Sequence, residues 1–128
     1  MTAKNNKRPV YIDLLRIRLP VGGLVSILHR VSGVLLVLAL PFSLWALQQS
    51  LVGPEEYQRI IDYLQKPPVR VLLFLLALAL THHFLAGIRH LLLDLDIGIS
   101  RRGGRVGAWL VLVIGFVVAV LAAGRLFL

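Results

Sequence analysis

The chain has 128 residues, of which 58% are hydrophobic and 16% charged, with a net charge of +8 and a mean hydropathy of +0.83. Soluble domains carry about one-quarter charged residues, so this composition excludes a water-soluble globule. The absence of cysteine excludes a disulfide, a thiolate metal site, a covalently attached haem and a cysteine-held iron–sulfur cluster on this chain. Nor does the basic charge indicate nucleic acid, because almost no residues remain outside the apolar runs to build a groove-reading surface.

Three uncharged runs set the class: Val31 to Pro54 (24 residues), Val71 to Ile88 (18) and Val106 to Gly124 (19). Each approaches the ~20 residues that cross a bilayer. The expectation is an all-α membrane protein, a single domain over 1–128, with three transmembrane helices and a short interfacial helix between the first two.

In chain order, residues 1–20 form a basic segment in which Pro9 and Pro20 prevent one continuous helix. The segment is expected to be retained rather than cleaved as a signal, because Arg16 and Arg18 come late and no small-residue cleavage site closes the following run. The first transmembrane helix is expected over 21–48, with Pro41 able to bend it. Residues 49–68 are expected as a loop containing a short helix, since Tyr57, Ile60, Ile61 and Leu64 recur at i, i+3, i+4, i+7 between Gly53-Pro54 and Pro67-Pro68. The second transmembrane helix is expected over 69–93, a polar connection over 94–105, and the third over 106–126, where Gly115, Ala119 and Ala123 make a small-residue face.

Basic residues fix the expected orientation. Segments 1–20 and 94–105 hold eight Lys or Arg, whereas 49–70 and the tail after Gly124 hold four. The positive-inside rule therefore puts the amino terminus and the 94–105 connection in the cytoplasm.

Polar groups within the apolar runs carry the chemistry, because a charge at mid-membrane costs on the order of 2.5–3.5 kcal/mol even on the lenient insertion scale. On the first helix Ser26, His29 and Arg30 fall at i, i+3, i+4 on one side; on the second, His83, Gly87 and His90 fall at i, i+4, i+7. Arg30 lies about 14 Å in from Val21 and His83 about 15 Å in from Leu93, so the two groups meet at one level in the cytoplasmic half. Neutral imidazole can ligate iron, cationic side chains can neutralise propionates, and Gly87 would leave room for a flat macrocycle, so the pattern suits a haem. Each residue also has a plainer role: a hydrogen-bonded packing histidine for His83, snorkelling for Arg30, a bond to its own helix for Ser26, and interface anchoring for Arg89 and His90. His82 points about 100° from His83 and reads as structural or as a competing ligand, and Asp94 reads either as orienting Arg89 or as aiding proton delivery, between which the sequence does not choose.

The runs RPVYIDLLRIRLPVGGLVSILHRVSG (Arg8 to Gly33) and HFLAGIRHLLLD (His83 to Asp94) resemble the two hallmark segments of the cytochrome b anchor subunit of succinate dehydrogenase. The first is an Arg-Pro followed by Ser-x-x-His-Arg-x-Ser, the second His-x-x-x-Gly-x-Arg-His ending in Asp. Two positions depart from the pattern: Leu93, where an aromatic residue or Met is usual, and Asp96, where a small residue is usual.

The resemblance implies a bacterial inner-membrane anchor of succinate:quinone oxidoreductase, a redox complex in which this subunit does not itself oxidise succinate. It implies haem b held by His83 as axial iron ligand, with the other ligand from a second hydrophobic anchor subunit. It also implies His29 and Arg30 on the propionate and quinone sides, with His90 a further cofactor-side candidate. Ser26 and Arg30 become the ubiquinone contacts, and an iron–sulfur subunit and a flavoprotein subunit become the soluble partners. Three alternatives stand beside it: a haem-free anchor of the fumarate reductase type, a small channel or transporter subunit, and a variant in which His29 and His83 ligate one iron.

Overall fold

The computed structural model describes residues 19–127, so most of the expected 1–20 segment lies outside the described residues. Four helices follow in order: α1 (Val21–Ser50), α2 (Pro54–Leu64), α3 (Pro67–Asp94) and α4 (Arg101–Phe127). Three of them, α1, α3 and α4, are long and apolar enough to cross a membrane, and α2 lies between the first two. At ~1.5 Å per residue the 30 residues of α1 run to about 45 Å, well beyond a ~30 Å hydrocarbon core, so it must tilt or emerge.

Local chemistry sets the boundaries. Pro20 is extended, and its carbonyl accepts the backbone N–H of Gly23 at 2.8 Å and of Leu24 at 3.2 Å to open α1. Pro54 opens α2, with Glu55 and Glu56 in the first turn where the helix dipole favours acids. Helix α3 starts at Pro67, ahead of the expected residue 69, because prolines at the first positions lose no intrahelical bond.

The largest departure from expectation is α4, which begins at Arg101 rather than residue 106. Ser100 caps it: its Oγ accepts the backbone N–H of Gly103 at 3.0 Å, and its carbonyl accepts that of Gly104 at 2.8 Å. The arginines and glycines expected in a loop form the first turns of the helix, where charge is tolerated outside the hydrocarbon.

The connection shortens to Leu95–Ser100 and begins as a Schellman turn. The N–H of Ile97 reaches the Leu92 carbonyl at 2.8 Å, and that of Asp96 reaches Leu93 at 3.0 Å. Asp96 sits at the left-handed position, φ 60°, which glycine occupies without steric cost. Asp96→Gly is therefore expected to stabilise the protein by about 1 kcal/mol, read as a rise of a few degrees in the thermal midpoint followed by helical circular dichroism.

Helix α3 is central, packed about equally against α1 and α4, which touch one another less. The three meet at Val25, Ala86, Ala108 and Val111, all buried, with Val21, Leu85 and Leu112 around them. At the far end Arg70 Nη1 donates to the Leu126 carbonyl at 3.4 Å, and Phe74 meets Phe127 edge-on at 6.0 Å between ring centres. Helices α3 and α4 are thus tied at both ends.

Candidate functional site

The α1–α3 seam gathers all four histidines of the chain. His83 and His90 lie two turns apart on α3, and the His29 imidazole from α1 stacks against both. Its ring centre is 4.2 Å from that of His83, with planes 13° apart, and 5.0 Å from that of His90, with planes 23° apart. Gly87, between the two on α3, lies beside the His29 ring: a Cβ there would stand 3.5 Å from His29 Nε2, in ordinary van der Waals contact. The space over Gly87, expected to admit a flat macrocycle, is held in this structure by His29.

The His83 ring is fixed from α1. A carbonyl can only accept, so the 3.1 Å contact between His83 Nδ1 and the His29 carbonyl makes Nδ1 the protonated nitrogen. The same carbonyl accepts the Ser32 hydroxyl at 2.9 Å, and Ser32 Oγ lies 3.4 Å from His83 Nδ1. Gly33 completes the seat, since a Cβ on it would fall 3.0 Å from His83 Cε1. In the neutral ring with Nδ1 protonated, Nε2 carries the lone pair, the form in which histidine ligates a metal while its other nitrogen is held by a backbone carbonyl.

His90 is in the same tautomer, with Nδ1 bonded to the Ala86 carbonyl at 2.6 Å one turn back on its own helix. His82 Nε2 donates to the Val25 carbonyl on α1 at 3.2 Å. Adjacent α3 histidines thus bond two α1 carbonyls one turn apart.

The side expected to gather Ser26, His29 and Arg30 divides. His29 turns into α3, Ser26 is half-buried and Arg30 is exposed. Neighbouring positions on a helix differ by about 100°, so the rotation that seats His29 turns Arg30 outward. Nor do His29 and His83 adopt the arrangement the single-iron variant needs. Two axial imidazoles oppose their nitrogens across a metal, whereas these two lie face to face.

Arg89, expected as a topology anchor, runs inward instead. Its Nη2 donates to the Gly104 carbonyl of α4 at 3.3 Å, and Gly22 of α1 and Gly107 of α4 give its guanidinium clearance. Its Nε is buried with no hydrogen-bond partner among the described residues. It also lines an apolar groove of about 330 Å³ between α3 and α4, with Ile88, Leu92 and Leu110.

Sequence reasoning assigned no role to Ser32 or Gly33. Ser32 stands inside the Ser-x-x-His-Arg-x-Ser pattern, one turn after His29, and that spacing was the available signal. The glycines around Arg89 gave none, because they come from other helices.

A three-span helical membrane protein with an imidazole-lined seam between its first two spans is the class these features define. Residues 4–122 match the family described as Succinate dehydrogenase/Fumarate reductase transmembrane subunit. The chain belongs to that family. It is 34% identical over 119 residues to the succinate dehydrogenase cytochrome b556 subunit of Coxiella burnetii, covering 92% of this chain and 95% of that protein. It is 31% identical over 119 residues to the subunit of the same name from Rickettsia felis, covering 91% and 90%.

Proposed function

We propose that this chain is the cytochrome b anchor of a succinate:quinone oxidoreductase, holding haem b through His83 and helping to bind the ubiquinone that the complex reduces. The observation that carries the reading is the His83 seat. A histidine half-buried between two membrane helices, with Nδ1–H on a backbone carbonyl, leaves Nε2 as the ring nitrogen to ligate a metal. The relatives' printed name, cytochrome b556 subunit, agrees with a haem protein.

When bound, the haem supplies a one-electron redox couple. The chain's own residues do the rest: His83 would hold the iron, with its second ligand from another hydrophobic anchor subunit, and His29 and His90 flank it. Quinone reduction adds two electrons and two protons, so negative charge develops on the quinone oxygens. The Ser26 hydroxyl donates to a carbonyl oxygen, and the Arg30 guanidinium stabilises the developing charge. Because Arg30 faces outward, the quinone head would lie between α1 and a neighbouring subunit rather than inside this bundle. The iron–sulfur and flavoprotein subunits would dock at the end carrying the amino terminus and the 95–100 turn.

The reduced-minus-oxidised visible spectrum of the purified complex tests this reading. A b-type band is expected; its absence from protein made with adequate haem would favour a haem-free anchor.

The proposed location is the bacterial inner membrane with the amino terminus cytoplasmic, and the lack of cysteine makes orientation directly measurable. Ile99→Cys and Gln58→Cys place single thiols at exposed positions on opposite sides. A membrane-impermeant maleimide is expected to label Ile99→Cys only in inverted vesicles and Gln58→Cys only in spheroplasts. The reverse pattern would invert the topology.

A further inference from the structure

Ser32 is the one polar residue counted as buried among the described residues, at 5% exposure, and the quinone and ligand roles above make no use of it. Its hydroxyl has two neighbours that matter: the His29 carbonyl, to which it donates at 2.9 Å, and His83 Nδ1, 3.4 Å from its oxygen. The His29 carbonyl in turn accepts from His83 Nδ1 at 3.1 Å. One helix carbonyl is therefore shared between two side-chain donors, and the shorter bond belongs to Ser32.

We propose that Ser32 is a positioning residue that sets the electron-donating strength of the His83 imidazole by competing with it for the His29 carbonyl. The inference rests on the assignment of His83 as haem ligand. A stronger Nδ1–H bond makes the ring more imidazolate-like and a better donor through Nε2, which favours the oxidised iron; a weaker bond favours the reduced iron. While Ser32 donates to the carbonyl at 2.9 Å, the bond from Nδ1, at 3.1 Å, shares its acceptor and is weaker for it. Gly33 keeps the ring from escaping the competition, because the close approach of α1 at that position seats Cε1 against the helix backbone. Ser32 thus acts on the haem through His83 without touching it.

Ser32→Ala removes the competitor without adding volume. The variant is expected to assemble with full haem content. In a potentiometric titration of the b-type band in the purified complex, the ratio of oxidised to reduced haem at fixed ambient potential is expected to rise about threefold, a fall in midpoint potential of about 30 mV for one electron. A packing role alone would leave the potential where it was. An unchanged or raised midpoint, or loss of the band from an assembled complex, overturns the tuning role. His83→Leu measured in parallel separates the two claims. A full band in that variant removes the ligand assignment and this inference with it, whereas loss of the band there, with no shift in Ser32→Ala, removes this inference alone.

Discussion

Replacing His83 with Leu is expected to abolish the b-type band of the complex or reduce it to a small residue, with the three spans still inserted. The substitution puts an apolar side chain of similar size at a half-buried position of the α1–α3 seam. What it removes is the nitrogen donor and the bonds to the His29 carbonyl and Ser32. Loss of the bond leaves a buried carbonyl that still accepts from Ser32, so the structural penalty is about 1 kcal/mol, too little to prevent insertion. His90→Leu is the matched control. Its Nδ1 bond is to the carbonyl one turn back on its own helix, so it spans no seam. Equal loss of the band in both variants would mean that the whole imidazole stack, rather than one ligand, holds the cofactor.

Arg30→Ala is expected to lower kcat/KM for ubiquinone by roughly 100-fold, the low end of the scale of removing one donor from a site of developing negative charge. Electron transfer from succinate to an artificial acceptor upstream of the quinone is expected to be unchanged. The separation follows from placement. Arg30 is exposed on the bundle surface while its neighbour His29 is packed against α3, so truncating Arg30 disturbs no contact within the core that Val25, Ala86, Ala108 and Val111 define. Arg30→Lys keeps the charge but not the forked donor geometry and is expected to fall between the two. A variant that fails to assemble, rather than failing with quinone, would return Arg30 to packing or topology.

The spans were legible because hydrocarbon imposes one demand, a long run without charge, which three segments meet. Their ends were less so. The Arg101–Arg105 stretch reads as loop on charge and glycine content, yet a membrane helix is free to carry charge once it leaves the hydrocarbon, and the Ser100 cap decides the start. Pro67 and Pro68 read as breakers but serve as helix starters.

The site was legible in depth and not in direction. Counting residues from each membrane face put positions 29–30 and 83 at one level, and the His29–His83 stack lies there. Periodicity says which residues share a side, not which side meets a neighbour, so the division of His29 from Arg30 was invisible. Arg89 failed for a related reason: its path inward runs beside Gly22 and Gly107, which stand on two other helices. Such clearance is a relation between elements that no local window contains.

The centre of this bundle is made of alanines and valines, and among the described residues no side chain larger than that of Val25 is fully buried. Backbone spacing, not interlocking bulk, sets how near the spans lie. The map of mutational tolerance is then the inverse of a soluble protein's. Leucines, phenylalanines and tryptophans on the outside can be exchanged for one another, because acyl chains or a companion's side chains adapt to either. One added methyl group at Ala86 or Ala108 would push on three helices at once. Drift across homologous genes should accordingly be slowest at the most featureless residues of the chain.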